Sequence, residues 1–367
     1  MPILLAGRVF QGFGGVGLVA MGFVAAGVIF PRRYTARAMA AVSTFWGVSA
    51  FLGPLIGGFF VEFATWRWGF AFFGGQAIAL AIWIALRPDR APSEAPADTT
   101  FPWKRLALLC LAVLFVSYGG VEVSLVRTSV FVLVGIACLA TFLHFDHLAQ
   151  NDRLLPVRPL DPRKPTGSAL LMILSLSIAT IALTAFGPLL VVAIHKASAL
   201  TAGYIVACSS IGWTVMAVLV SGSPERLDRQ MITIGMVLVA TSIVGFLYAV
   251  PAGPVWLIAV FAAIEGGGFG MAWTFILRRT TALSTPDEVQ RISGAIPTVQ
   301  RLGYAIGAAY IGIVANAVGF ASMETSADAT TIAGWIFGAC LPFAVFGLLA
   351  MTTLVRKEPS EAGFALQ

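Results

Sequence analysis

The chain has 367 residues, of which 58% are hydrophobic and only 11% are charged, and its mean hydropathy is +0.90. Soluble domains carry about 25% charged residues, so this composition excludes a soluble globular protein and predicts an integral membrane protein. The formal net charge of +6 is unevenly distributed along the chain, in a pattern that indicates membrane topology and not nucleic-acid binding. The four cysteines stand alone in separate apolar runs, which predicts neither a disulfide nor a metal site.

Eleven apolar runs are long enough to cross a bilayer, which takes about 17 to 25 residues. They predict an all-α integral membrane protein. The runs are residues 3–30, 38–61, 68–86, 106–121, 128–145, 168–194, 201–221, 231–250, 255–277, 292–320 and 332–355.

When the connections between these runs are assigned alternately to the two sides of the membrane, the two sides differ strongly in positive charge. One side holds eighteen of the 23 Lys and Arg residues, whereas the other holds only Arg67, Arg127 and Lys196. The positive-inside rule makes the first side cytoplasmic. We therefore expect a multi-pass protein of the cell (inner) membrane with its C-terminus in the cytoplasm.

Two proline-rich cytoplasmic connections, residues 87–105 and 146–167, interrupt the series of spans and are typical of extended linkers. They bracket two helices. The predicted division is a three-helix part at 1–86, two linker helices with their loops at 87–167, a six-helix part at 168–355 and a cytoplasmic tail at 356–367.

The run at 38–61 contains a helix face with almost no side chains. Gly53 and Gly57 fall on one helical stripe, Pro54 and Gly58 fall on the next, and the proline predicts a kink. Small residues let membrane helices approach closely, so generic packing is one interpretation. With Gly47, however, these residues form G-x-x-x-x-x-G-P-x-x-G-G, which resembles the fifth-helix signature of antiporters of the major facilitator superfamily.

Two further motifs support that resemblance in the expected order. Arg8, Gln11, Gly12 and Gly14 lie in a segment similar to the R-x-x-Q-G-x-G element of the fourth helix in drug/proton antiporters of this superfamily. The W-R-W-x-F pattern at 66–70 resembles the segment that leads into helix six. The two linker helices are similar to those of the fourteen-span branch.

The resemblance implies a secondary transporter that exchanges protons for lipophilic or cationic small molecules, without a cofactor. Its partners would be the substrate, protons and membrane lipid, with no nucleic acid and an unspecified oligomeric state. The family pattern also implies three earlier helices, so a non-functional, N-terminally truncated fragment is one alternative and a transporter of another small solute is a second. An integral membrane enzyme is not expected, because the sequence has no HExxH, no G-x-S-x-G and no paired intramembrane acids.

Glu265 is the single acidic residue near the middle of a predicted span, and the glycine-rich segment 266–270 follows it. A carboxylate at that depth costs about 2.5 to 3.5 kcal/mol, so we expect Glu265 to face an internal cavity or to carry a proton. Such a group suits proton and substrate coupling. The alternative is a structural hydrogen bond from protonated Glu265 to a neighbouring helix.

Two arginines are weaker candidates. The resemblance implies that Arg8 takes part in proton coupling, although near the outer end of its helix its side chain could equally reach water. Arg301 lies about ten residues into its run, and a helix that begins nearer Pro297 would make it a cytoplasmic-end residue, which is the interpretation we favour.

Two apparent motifs are rejected. The G-x-G-x-x-G pattern at 12–17 follows no strand and precedes no nearby acid, so it does not predict a dinucleotide site. His144, Asp146 and His147 have a spacing that suits a metal, but no further ligand is near them in sequence, and no metal is expected.

Overall fold

The computed structural model describes residues 2–28, 45, 48–49, 52–53, 56–86 and 102–356. The regular structure in these residues is helical, and they contain no strand, which confirms the all-α prediction. The chain divides into two units, Met1–Gly53 and Pro54–Gln367.

The first unit contains helix α1, Pro2–Val28, which matches the predicted run 3–30. Its described side chains are exposed within the structure.

The second unit begins with a helical segment at 56–63 and continues with ten further helices. They are α2 Trp66–Ala85, α3 Trp103–Gly119, α4 Leu125–Leu148, α5 Pro165–His195, α6 Ala199–Val220, α7 Asp228–Ala249, α8 Val255–Ala282, α9 Pro286–Ala317, α10 Ser326–Ala350 and α11 Thr352–Arg356. Among the described residues, seven helices are long and apolar enough to cross a membrane.

Local signals explain where several of these helices begin. Pro165 and Pro286 stand in the first turns of α5 and α9, where a missing backbone N–H costs nothing. Helix α10 begins with a capping box: the Thr325 hydroxyl accepts from the Asp328 backbone N–H at 3.1 Å, and the Asp328 carboxylate accepts from the Thr325 N–H at 3.0 Å.

Helices α5 to α10 form two interlocked sets of three. Helix α8, the first of the second set, packs against α6 and α7 of the first set. Helix α5, the first of the first set, packs against α9 and α10 in the same way. This exchange is the arrangement expected when two three-helix repeats pair into one half of a transporter.

The linker helices α3 and α4 pack on each other, and α3 also contacts α9. The side-chain amide of Asn316 near the end of α9 donates to the Gly120 carbonyl at 2.6 Å, after the end of α3. Near the start of α9, the Glu288 carboxylate accepts from the Val157 backbone N–H at 2.9 Å. The linker region is therefore attached to α9 near both ends of that helix.

Candidate functional site

The carboxyl group of Glu265 is buried within α8. The residue is 6% exposed, and its Oε2 atom has no hydrogen-bond partner among the described residues. Burying a polar atom without a hydrogen-bond partner costs folding free energy, and such atoms are rare in native structures.

The glycines after Glu265 are what allow α8 to sit between its two neighbours. A methyl group at Gly266 would overlap the Ser209 carbonyl oxygen of α6. A methyl group at Gly268 would overlap the Gly235 carbonyl oxygen of α7. The backbones touch because these positions lack side chains, so the helix that carries the acid is held closely on both sides.

Helices α9 and α10 bring further functional groups to Glu265. Tyr304 of α9 and Cys340 of α10 lie within electrostatic range of Glu265, and Arg301 lies within that range of Tyr304. Gln300 stands one helical turn before Tyr304, is 6% exposed, and its Nε2 atom has no hydrogen-bond partner among the described residues. Sequence analysis missed Gln300 and Tyr304 as site residues.

A third unpartnered polar atom lies on the adjacent helix α5. The Ser177 hydroxyl is buried without a hydrogen-bond partner in the described part of the chain. A Cβ atom built on Gly303 of α9 would lie 2.7 Å from the Ser177 Cβ atom. Helices α5, α8 and α9 thus each supply a buried polar atom that no described group satisfies.

The helix start near Pro297, on which the preferred interpretation of Arg301 depended, is not observed. Helix α9 begins at Pro286 and continues through Pro297, so Arg301 lies halfway along its 32 residues. Pro286 starts the helix, and neighbouring helices can compensate for the backbone bond that Pro297 removes. Arg301 is exposed on the surface of the bundle.

The fourth-helix motif lies on α1 in the first unit. The Arg8 guanidinium donates to the Gln11 side-chain carbonyl at 2.9 Å, and both residues are exposed. No described atom lies within 4 Å of a Cβ atom built on Gly12 or Gly14. Within the motif, the observed side-chain contact is the hydrogen bond between Arg8 and Gln11.

The fifth-helix motif is described only in part, because Gly47 and Pro54 lie outside the described residues. No described atom lies within 4 Å of a Cβ built on Gly53 or Gly57. Gly58 is buried, and its Cβ would lie 3.2 Å from the Cα atom of Leu200 at the start of α6. Gly58 thus provides a close helix contact.

Asp146 supports the linker. Its Oδ1 atom accepts from the Arg105 guanidinium and from the Leu154 backbone N–H, both at 2.8 Å, and its Oδ2 accepts from the Leu155 N–H at 3.0 Å. The residues that the structure describes contain no group of three or more His, Cys, Asp or Glu side chains placed to hold a metal ion.

The sequence model of the Major Facilitator Superfamily matches residues 1–308. The chain belongs to this superfamily. Its members are transporters, so the protein is a multi-pass membrane carrier and not an enzyme, and its helical structure is that of the major facilitator fold. The resemblance drawn from the motifs is confirmed.

Similar proteins include several named as transporters. A probable multidrug-efflux transporter of Mycobacterium tuberculosis is 28% identical over 335 residues, which cover 86% of this chain and 69% of the relative. The multidrug efflux pump SdrM of Staphylococcus aureus is 25% identical over 323 residues, covering 84% and 69% of the two chains. The uncharacterized transporter YebQ of Escherichia coli is 24% identical over 359 residues, covering 93% and 75%.

Proposed function

We propose that this transporter exports lipophilic or cationic small molecules across the cell (inner) membrane in exchange for protons. The names of two similar proteins, a multidrug-efflux transporter and a multidrug efflux pump, support this substrate class. The basic connections support an orientation with the C-terminal tail in the cytoplasm.

The observation that carries the proposal is the buried, unpartnered carboxyl oxygen of Glu265 in a membrane-spanning helix. An acid in this position is expensive and typically functional. A protein group that was hydrogen-bonded to the Glu265 carboxyl would have to be displaced before the carboxyl could change partners. Because no described group bonds this oxygen, the carboxyl can bind either a proton or the positive charge of a substrate. Antiport requires this competition.

Other residues have supporting roles in the proposal. Arg8 with Gln11, on α1, is the second candidate for proton coupling. Tyr304 and Gln300 would form hydrogen bonds with a substrate that binds near Glu265. The glycine and proline residues at 53–58 would supply the close helix contact across which the two halves move.

The test uses inside-out membrane vesicles that contain the full chain and hold an imposed proton gradient, acidic inside. Addition of a fluorescent lipophilic cation should release protons from the wild-type vesicles while the dye accumulates inside them. Glu265→Gln should reduce both signals to the level of empty vesicles, because the amide can neither bind a proton nor attract a cation.

The matched control is Glu122→Gln, which removes a carboxyl group that is exposed and paired with Arg127. This variant should transport like the wild type. Full antiport by Glu265→Gln would remove Glu265 from the mechanism, whereas dye accumulation without proton release in the wild type would contradict proton coupling.

A further inference from the structure

A cavity of about 340 Å³ lies where α4 ends and the linker that follows it folds back. It is separate from the region around Glu265. Its lining includes His147, Arg153 and Arg158, together with Leu143, Pro156 and Leu160. The cavity thus combines three basic side chains with an apolar wall, and it lies on the side of the protein that carries the basic connections.

The two acids that line the same cavity are already engaged. Asp146 is bound by Arg105 and by the Leu154 and Leu155 backbone N–H groups. The Asp161 carboxylate accepts from the Arg163 N–H at 3.0 Å, and its second oxygen lies 4.0 Å from the Arg158 guanidinium. Arg105, which lies outside the lining, compensates Asp146, so that only Asp161 opposes the positive charge of the basic side chains in the lining.

Arg153 supplies the most specific observation. Its Nε atom is buried and has no hydrogen-bond acceptor among the described residues. A guanidinium N–H removed from water needs an acceptor, and the fork of a guanidinium group matches the oxygens of a phosphate. The Arg158 side chain is 68% exposed, and its contact with Asp161 is as long as 4.0 Å, so it can turn toward a ligand in the cavity.

The surroundings indicate where such a phosphate comes from. Phe145 and Leu148, in the last turns of α4, are 50% and 59% exposed, and Leu160 at the cavity is 44% exposed. At the boundary of a membrane, apolar side chains exposed in this way would contact acyl chains. Basic cavities at the cytoplasmic ends of membrane helices suit anionic lipid headgroups.

We propose that this cavity binds the phosphate of an anionic phospholipid, with Arg153 and Arg158 as its principal ligands. His147 lines the same space and adds a donor. The bound lipid would attach the linker after α4 to the membrane surface, independently of the transported substrate.

The test measures lipid binding to the full, delipidated chain in detergent by native mass spectrometry. Phosphatidylglycerol should remain bound at concentrations where phosphatidylcholine does not. The double variant Arg153→Gln with Arg158→Gln should bind phosphatidylglycerol at least tenfold more weakly. The control Arg226→Gln, an exposed arginine in a different connection, should bind like the wild type.

A second variant keeps the test informative if the double variant does not fold. Leu160→Glu adds a negative charge at the cavity and leaves both arginines in the chain, and it should also weaken phosphatidylglycerol binding. Unchanged binding in these variants, or equal binding of both lipids, would overturn the proposal. Complete displacement of the lipid by millimolar inorganic phosphate would also overturn it, since free phosphate would then be the ligand.

Discussion

Helices α5 and α8 occupy equivalent places in the packing of helices α5 to α10. Each is the first helix of a three-helix set, and each packs against the second and third helices of the other set. Glycines permit both contacts: Gly303 and Gly347 approach α5, and Gly266 and Gly268 of α8 approach its neighbours. Both helices are therefore closely packed against two neighbours, and glycine residues at the contacts allow this close approach.

Their buried polar groups differ, and that difference separates packing from function. In α5, the Thr180 hydroxyl donates to the Leu176 carbonyl at 2.9 Å, within its own helix, whereas the Ser177 hydroxyl, which is neutral, has no partner among the described residues. In α8, the Glu265 carboxyl has an oxygen without such a partner. A hydroxyl can be satisfied locally at little cost, whereas a buried carboxyl cannot. Packing explains the glycines at both contacts but not the acid of α8.

The largest effect is expected from Gly266→Ala. The new methyl group would overlap the Ser209 carbonyl oxygen, and a backbone atom cannot move aside without shifting α6. Because overpacking of a core costs about 1 to 3 kcal/mol and more against backbone, we expect the free energy of unfolding to fall by about 3 kcal/mol. The unfolding midpoint of the purified protein in mixed detergent measures this change.

The matched control is Gly334→Ala in α10, where no described atom lies within 4 Å of the built Cβ. Alanine is the better helix former, so this variant should be as stable as the wild type or slightly more stable. Equal stability of the two variants would show that α6 and α8 are not in close contact.

An effect of opposite sign is expected from Glu265→Leu. Leucine removes a buried oxygen that has no partner, and such groups cost about 1 to 3 kcal/mol. The free energy of unfolding should therefore rise by about that amount while antiport is lost. Destabilisation of similar size would instead support the structural hydrogen bond that is the alternative interpretation of Glu265.

The smallest effect is expected from Thr180→Val, the corresponding change in α5. It removes one hydrogen bond to a carbonyl group that keeps its helical partner, so the free energy of unfolding should change by less than about 1 kcal/mol. Antiport in the vesicle assay should be unchanged. A loss of transport with a normal unfolding midpoint would show that both helices carry chemistry.

Periodicity and hydropathy alone located most of the helices. The predicted run 168–194 became α5, Pro165–His195, and the run 201–221 became α6, Ala199–Val220. The run 292–320 became α9, Pro286–Ala317, which begins earlier because Pro286 occupies its first turn and the helix continues through Pro297. The roles of Glu265 and Arg8 in coupling, and the division of the chain into four parts, stay predictions.

The amino-acid sequence by itself determined the membrane class, the superfamily and the one acid deep in a span, because composition, motif spacing and hydropathy are properties read along the chain. Only the tertiary structure decided that Tyr304 lies near Glu265, that Gly266 and Gly268 face two different helices, and that Asp146 is bound by Arg105. These contacts depend on which faces of helices distant in sequence pack together. The packing depends in turn on how closely the helix backbones can approach, and local sequence patterns do not encode that distance.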